Sequence, residues 1–568
     1  MRGRPGSARH PRPRPHGRRS MRPLNIVLGV AFGLAASTVV AVPVSFPGGN
    51  TGAIPDNDVV NGRVVTFAVS GLVGTLRGVE LTTNLSHTFA GDLTATLISP
   101  GGTARLVIFG RPGAGRVSTF GDSSNFGGTY AFSDLGRPDL VPALTAIDTN
   151  GTLGSGTYRT TSRGASGRSN AGGCPTSLRG VFGGLTAAEV NGTWTLVVTD
   201  AVNGDVGTID TSTLTLDMQG PSIFANGFEA AAALAPEAKL ALGALAPAHC
   251  VNKVQADFTG DGLTDYAIAR SNGGTVGWII RENLGNGTAA ATELTFNLGN
   301  ATSDFIDSFD LDGDRIADPA VWTPGPNESG RFQVRLSSRN GAVREVVFGQ
   351  TGDDPTQSGD YDGDGIDDLA VYRSPPFGSP DGPLQLRYLR SSNGSVGVIG
   401  TGTGVSGDQF AISGFDYSGD GLADVVVQEP DTTTPANARF RMLNASSGAQ
   451  FSSFVLGLAT DFLIPGSHVG SSWADVTVRR TVSGNRELRS RDSQTGVEAP
   501  VVVFGITGDA SISGDYDGDG VSDHGIWRSS STPGDSAFQV RPSGNTASVW
   551  SIPFGQAADY PIAGSRVR

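Results

Sequence analysis

Cysteine is almost missing from this 568-residue chain, with only Cys174 and Cys250 present. Two thiols cannot make a four-ligand zinc site of the finger type, and no CxxC pair exists. Histidine is as sparse and is scattered, at His10, His16, His87, His249, His468 and His524. Positive charge is also scarce once the first 22 residues are set aside. Those hold eight of the 41 Lys and Arg and no acid, which leaves 33 bases against 54 acids. Such a balance argues against a nucleic-acid binder and suits a solvated surface, or one that holds cations. Beyond residue 40 no apolar run approaches the roughly 20 residues that a helix needs to span a bilayer. Glycine, by contrast, is abundant, at 82 residues without a collagen-like period. Apolar residues make up 38 % of the chain, enough for real cores, which argues against wholesale disorder.

At the amino end, Met21-Arg22 precedes an apolar run from Ile26 to Val40, and Val39-Val40-Ala41 supplies a small-residue cleavage site. The run is too short to span a bilayer and reads as an export signal. Residues 1–20, with seven Arg and four Pro, have no place in an ordinary signal peptide. Translation from Met21 accounts for them, with a twin-arginine signal at Arg18-Arg19 as the alternative. Residues 1–41 are therefore read as a targeting region. The mature protein is expected outside the cell, in the periplasm or held at the cell surface, with no membrane span.

Residues 50–220 read as many short strands broken by Gly, Asn, Asp and Ser, among them Arg63–Val69, Leu93–Ser99, Arg105–Phe109, Trp194–Thr199 and Thr211–Met218. No useful 3.6-residue apolar period appears, so an all-β sandwich or jelly roll is expected. Gly151 to Gly173 reads as a long loop. Residues 221–250, mostly Ala, Leu and Pro after Ala230, read as a linker between two independently folded halves.

Residues 251–568 are a repeat array. Its marks are Asp257, Asp310, Asp360, Asp416, Ser467 and Asp515, spaced 48 to 56 residues apart. Each mark opens a loop that leads into a short apolar strand, such as Tyr266–Arg270 or Leu369–Arg373. Further strands follow, as in Phe332–Arg335, the runs ending in Phe348-Gly349 or Phe554-Gly555, and Ala510–Gly514. Four strands per repeat of about 50 residues is a propeller blade. Val251–Ala256 and Tyr560–Gly564 are copies of one strand, so one of them is surplus in a ring of six. Six blades are expected, with seven (one incomplete) as the alternative.

Five of the six loops share one nine-residue pattern, with oxygen side chains at positions 1, 3, 5 and 9 and an apolar residue at 7. These residues are Asp257, Thr259, Asp261, Leu263 and Asp265; Asp310, Asp312, Asp314, Ile316 and Asp318; and Asp360, Asp362, Asp364, Ile366 and Asp368. The remaining two sets are Asp416, Ser418, Asp420, Leu422 and Asp424, and Asp515, Asp517, Asp519, Val521 and Asp523. Ca²⁺ takes six to eight oxygens at about 2.3–2.6 Å, and a tight loop with alternating oxygen ligands plus the position-7 carbonyl can deliver them. Mg²⁺ suits the loops less well, because it demands strict octahedral geometry. The EF-hand helix and its position-12 Glu are missing. The competing reading is of plain Asp/Gly turns, but five loops in matched register would then crowd repelling carboxylates together without cause. The unit at Ser467 keeps only Asp475 and is expected to hold no ion. Calcium at about five sites is the expected cofactor.

These loops and the strands behind them resemble FG-GAP/VCBS repeats, the family of integrin α-subunit propellers and many bacterial surface proteins. The resemblance implies a calcium-stabilised propeller whose ligand face varies between members. The first half carries a second resemblance, on Leu81 to Thr103 with its Ser99-Pro100-Gly101 turn, on Asn191-Gly192-Thr193-Trp194 and on Gly204 to Asp210. It resembles the P/Homo B domain that accompanies the catalytic domain of kexin-like and furin-like convertases and many bacterial subtilisin-like proteases. In that family the domain is a β-sandwich without a catalytic triad.

A serine hydrolase needs a nucleophile, a His base and an orienting acid. The subtilisin-like Gly-Thr-Ser and His-Gly-Thr contexts are absent, as is a Gly-x-Ser-x-Gly elbow. His87 reads as a structural hydrogen-bonding residue. No catalytic residue is assigned. The expected function is a secreted, calcium-binding, non-catalytic binding or adhesion protein with a protein or glycan ligand. The alternative is an accessory or relic of a secreted subtilisin-like protease, with that protease as partner. Export and a count of two also point to a Cys174–Cys250 disulfide.

Overall fold

The computed structural model describes residues 43–562 apart from 115–119, 137–138, 148, 164–173, 220–253, 374–384, 401–408, 411–413, 471–472 and 533. Alternation of apolar and polar residues builds the first half as two antiparallel layers. Arg63–Val69, Leu93–Ile98, Arg105–Gly110 and Gly192–Asp200 form one layer, and Thr75–His87, Phe126–Phe132 and Gly207–Gln219 form the other. Strand Val44–Gly49 joins them, since Val44 to Pro47 pair with Gly207–Gln219 and Gly48-Gly49 pair with Arg63–Val69. From Val79 to His87 every second residue of the strand Thr75–His87 is buried, and the apolar ones meet Phe67, Leu97, Phe109 and Trp194 in one core. Burying such a face is what fixes strand register, because a one-residue slip would turn it outward. The sandwich expected over 50–220 is present, and its first strand starts at Val44. The proposed linker, 221–250, lies outside the described residues.

The second half is a six-bladed propeller. Its second blade is typical, with Phe305–Phe309, Asp318–Thr323, Arg331–Arg335 and Val343–Val347 in sequential antiparallel order. The acidic loop lies between the first and second of these strands. A blade therefore begins one strand ahead of its loop. In the first blade that leading position is filled by the chain's far end, Tyr560–Pro561, where Pro561 faces Ile268 and Tyr560 faces Ala269. Of the competing copy, the described residues 254–256 lie outside any strand, with a turn at 255–256, and Ala256 is left-handed at φ 51°. Residues 251–253 lie outside the described residues. The third blade has three strands, with an isolated Asp354–Tyr372 bridge at the place of the fourth.

At the end of the strands away from the loops, four blades carry the same ion pair among the described residues. Arg270, Arg373, Arg480 and Arg528 each donate through Nε and a terminal nitrogen to Asp559, Asp353, Asp461 and Asp509, at 2.6–3.1 Å. Each of these aspartates also accepts a backbone N–H a few residues upstream, as Asp559 does from Gln556. Buried carboxylates are tolerated when paired and hydrogen-bonded in this way.

Candidate metal centre

The six loops are joined into a ring. In every loop the position-8 N–H donates to the position-1 carbonyl of the preceding loop. Ala317 donates to Asp257, Asp367 to Asp310, Ala423 to Asp360, Ala474 to Asp416, Ser522 to Ser467 and Thr264 to Asp515, all at 2.7–2.8 Å. The degenerate fifth loop takes part on equal terms.

Within each acidic loop the carboxylates also organise the chain. The position-1 side chain accepts the N–H groups of positions 4 and 6: Asp257 from Gly260 and Gly262, Asp310 from Gly313 and Arg315, Asp360 from Gly363 and Gly365. Asp416 and Asp515 repeat the pattern with Gly419, Gly421, Gly518 and Gly520. Those two positions have φ between 67° and 88°, the left-handed region that glycine adopts without strain. Arg315 is the exception, at φ 67°, and its guanidinium lies in the field of Asp310, Asp367, Asp257 and Asp360. The position-5 carboxylates Asp261, Asp314, Asp364, Asp420 and Asp519 each accept the position-7 N–H at 2.8–3.0 Å. The position-9 carboxylates Asp265, Asp318, Asp368, Asp424 and Asp523 accept the position-2 N–H at 2.7–3.0 Å.

Three loops bring positions 1, 3 and 9 together. Carboxylate oxygens of Asp310, Asp312 and Asp318, of Asp360, Asp362 and Asp368, and of Asp515, Asp517 and Asp523 lie within 4.8 Å of one another. Two oxygens on opposite sides of an ion at about 2.4 Å are about 4.8 Å apart, so each triad fits one Ca²⁺-sized cation. Two buried oxygens, Asp362 Oδ1 and Asp424 Oδ1, have no hydrogen-bond partner among the described residues, as ligand atoms would before an ion arrives. Where position 3 is Thr259 or Ser418, the three-carboxylate cluster is not formed, and only positions 1, 5 and 9 carry charge.

Burial and mutual repulsion push these carboxyls up. Burial, then Asp261, raises Asp257 to about 7. Burial, then Asp517, raises Asp523 to about 8. Burial, then Asp310, raises Asp312 to about 6, and burial takes Asp416 to about 6. Asp265, Asp314, Asp318, Asp364, Asp368, Asp424 and Asp515 are held well above the ordinary range, burial being the first cause in each. A cation would relieve both costs.

Two features escape the loop pattern itself. A hairpin later in the same blade supplies hydroxyls to positions 3 and 5: Ser338 to Asp312 at 2.6 Å, Ser337 to Asp314 at 2.9 Å, Ser392 to Asp362 at 2.5 Å and Ser391 to Asp364 at 2.9 Å. Ser543 serves Asp519 at 2.7 Å, and Asn444 bonds Asp420. Their sequence signal is a Ser-Ser pair shortly before Asn-Gly, at 337–341 and 391–394. The apolar position 7 also has a side-chain role. It packs on the position-4 glycine of the preceding loop, as Ile316 does on Gly260, Ile366 on Gly313 and Trp473 on Gly419.

The fifth loop is built from other side chains. His468 stacks on His524 with ring centroids 5.0 Å apart and bonds Ser513 Oγ and the Ser522 carbonyl. Burial pushes His468 down to about 4 and His524 to about 3, so neutral rings occupy this place. In the sandwich, His87 is buried and spends its ring nitrogens on Asp200 and the Phe89 carbonyl. Cys174 is buried and disulfide-bonded, while Cys250, the other half of the expected pair, lies outside the described residues.

No protein-family model matches the chain, and no curated protein does. Among solved structures there is partial likeness to TolB from Acinetobacter baumannii, at 11 % identity and a TM-score of 0.35 over 54 % of this chain and 66 % of that one. The Aeromonas sobria serine protease in complex with its chaperone matches at 15 % and 0.17, over 32 % of this chain and 28 % of that one. The rhamnogalacturonan lyase YesW matches at 11 % and 0.24, over 51 % and 69 %. The chain spans less than two thirds of the first two. At these scores none bears on function, and the propeller stands on its own six sheets.

Proposed function

We propose that this is an exported, calcium-stabilised binding protein, with a P/Homo B-like sandwich followed by an FG-GAP/VCBS-like propeller that presents a rigid face to a protein or glycan outside the cell. The observation that carries this reading is the ring of loops with three carboxylate triads, each sized for one cation. The residues that would hold the ion are those at positions 1, 3 and 9, with position 5 and the hairpin hydroxyls around them. The ion would supply charge neutralisation and fix the loops, and no reaction is assigned to it. A propeller suits binding because its loops project from a framework that strand pairing holds still.

The test uses the exported chain as bait in culture supernatant, once in calcium and once in chelator. A glycan or cell-wall ligand retained only in calcium supports the proposal. A co-purifying protease with no such ligand favours the protease-accessory reading instead.

A further inference from the structure

The sandwich is seated on the second acidic loop. Its helix Leu178–Phe182 passes so close that a Cβ on Gly180 would stand 2.0 Å from the Asp312 carbonyl oxygen. The Ser177 N–H donates to the Gly313 carbonyl at 2.9 Å, and the Arg105 N–H donates to the Ser338 carbonyl at 3.1 Å. From the propeller, Arg339 donates to the Val181 and Gly183 carbonyls at 3.1 and 2.5 Å. Gly313 lies next to Asp312 in the loop, and Ser338 holds the Asp312 carboxylate, so the sandwich grips the frame of this site; it touches the third loop's frame once, where Arg179 donates to the Ser392 carbonyl at 2.7 Å.

The consequence is a difference in exposure between two loops of the same pattern. Around the second, Asp310, Asp312, Asp314 and Asp318 are 3, 1, 9 and 0 % exposed. In the sixth, which has the same triad, Asp517 is half-buried and Asp519 is exposed. Four carboxylates beneath a docked domain are costly to keep charged unless a cation is among them. Arg339, Arg344, Arg335 and Arg315 lie in the field of these carboxylates, and Arg339 commits its guanidinium to the sandwich carbonyls.

We infer that the second loop is an interdomain cation site, closed by the sandwich, whose ion can leave only when the helix Leu178–Phe182 lifts. The sixth loop exchanges its ion directly with solvent. This rests on the reading of the acidic loops as cation sites. Because linkage is reciprocal, an ion in the second loop also strengthens the docking of the sandwich.

The experiment loads the full exported chain with calcium, mixes it with an excess of fluorescent chelator and follows release. The expected course has a slow component of one ion per chain, at least about tenfold slower than the rest, since release waits on local opening. Gly180→Leu should merge that component into the fast phase with total bound calcium unchanged. Asp312→Asn with Asp314→Asn should delete the slow ion and leave the fast ones, and this variant keeps the Gly313 and Ser338 carbonyls should Gly180→Leu fail to fold. Single-phase release from the native chain, or a slow phase that survives in folded Gly180→Leu, overturns the inference while the cation reading stands. A chain that binds no calcium overturns both.

Discussion

The N–H of Thr264 in the first loop donates to the carbonyl of Asp515 in the sixth at 2.8 Å. It is the last of six equivalent bonds, and it closes the ring of loops at the same seam where Tyr560–Pro561 closes the first blade. Closure therefore occurs at both ends of the strands, because Arg270 and Asp559 also pair across the seam.

That seam gives the first prediction. Arg270→Ala leaves the Asp559 carboxylate, which is buried, without its cation, and should cost about 2–4 kcal/mol in denaturant unfolding, a little below the range for fully buried pairs because Arg270 is one-third exposed. Arg331→Ala removes a pair in which both side chains are about half exposed and should cost under about 1 kcal/mol. Equal effects would mean that the seam pair is not a closing element.

The hairpin serines give a second prediction. Ser337→Ala with Ser338→Ala keeps every carboxylate of the second loop but removes the hydroxyls that orient Asp314 and Asp312. Calcium affinity at that loop should fall by roughly tenfold, as when outer partners of metal ligands are lost. A calcium isotherm with one weakened site and the others unchanged checks it.

Much of the fold is legible in the chain, because a repeat of about 50 residues and the alternation of Thr75–His87 or Arg63–Val69 are local patterns. Blade number is not. Val251–Ala256 and Tyr560–Gly564 look alike as strings, and only long-range pairing decides which one joins Ile268. The loop residues are legible by register, whereas Ser337 and Ser391 act on aspartates more than twenty residues away. Arg270, Arg373, Arg480 and Arg528 are visible in the strands, but their partners come from the turn before each blade's leading position, which for Arg270 lies 289 residues further on. Position 7 recurs as an apolar residue, and Trp473 on Gly419 shows why even the loop that keeps only Asp475 has one. Nothing periodic announces that Gly180 meets Asp312.

The third prediction concerns pH. In the folded chain without cation, Asp257 is raised to about 7, Asp523 to about 8, and Asp312 and Asp416 to about 6, against 3.8 for a free aspartate. The folded state then binds more protons than the unfolded state between about pH 4 and 8. The contribution of these four groups to stability is fully present below about pH 4 and is lost as pH rises through the folded values. Calcium keeps these groups ionised and flattens that dependence. Melting temperatures at pH 5 to 8 should show a gap between calcium and chelator that widens with pH. A gap that stays constant counts against the carboxylates as the calcium ligands.

Whether the loops hold calcium is decided by melting the purified chain in ~1 mM calcium and again in excess chelator, with bound calcium counted per chain. For a dissociation constant of about 10⁻⁴ M, each occupied site contributes about 1.4 kcal/mol. The three triads alone then supply roughly 4 kcal/mol and all five loops about 7, comparable with the stability of an ordinary domain. About three to five ions per chain are expected, with a melting temperature about 10 °C lower in chelator. Asp362→Asn with Asp364→Asn should remove one ion and part of that difference. Equal melting with and without chelator, with no calcium retained, would contradict the account and leave the loops as plain Asp/Gly turns.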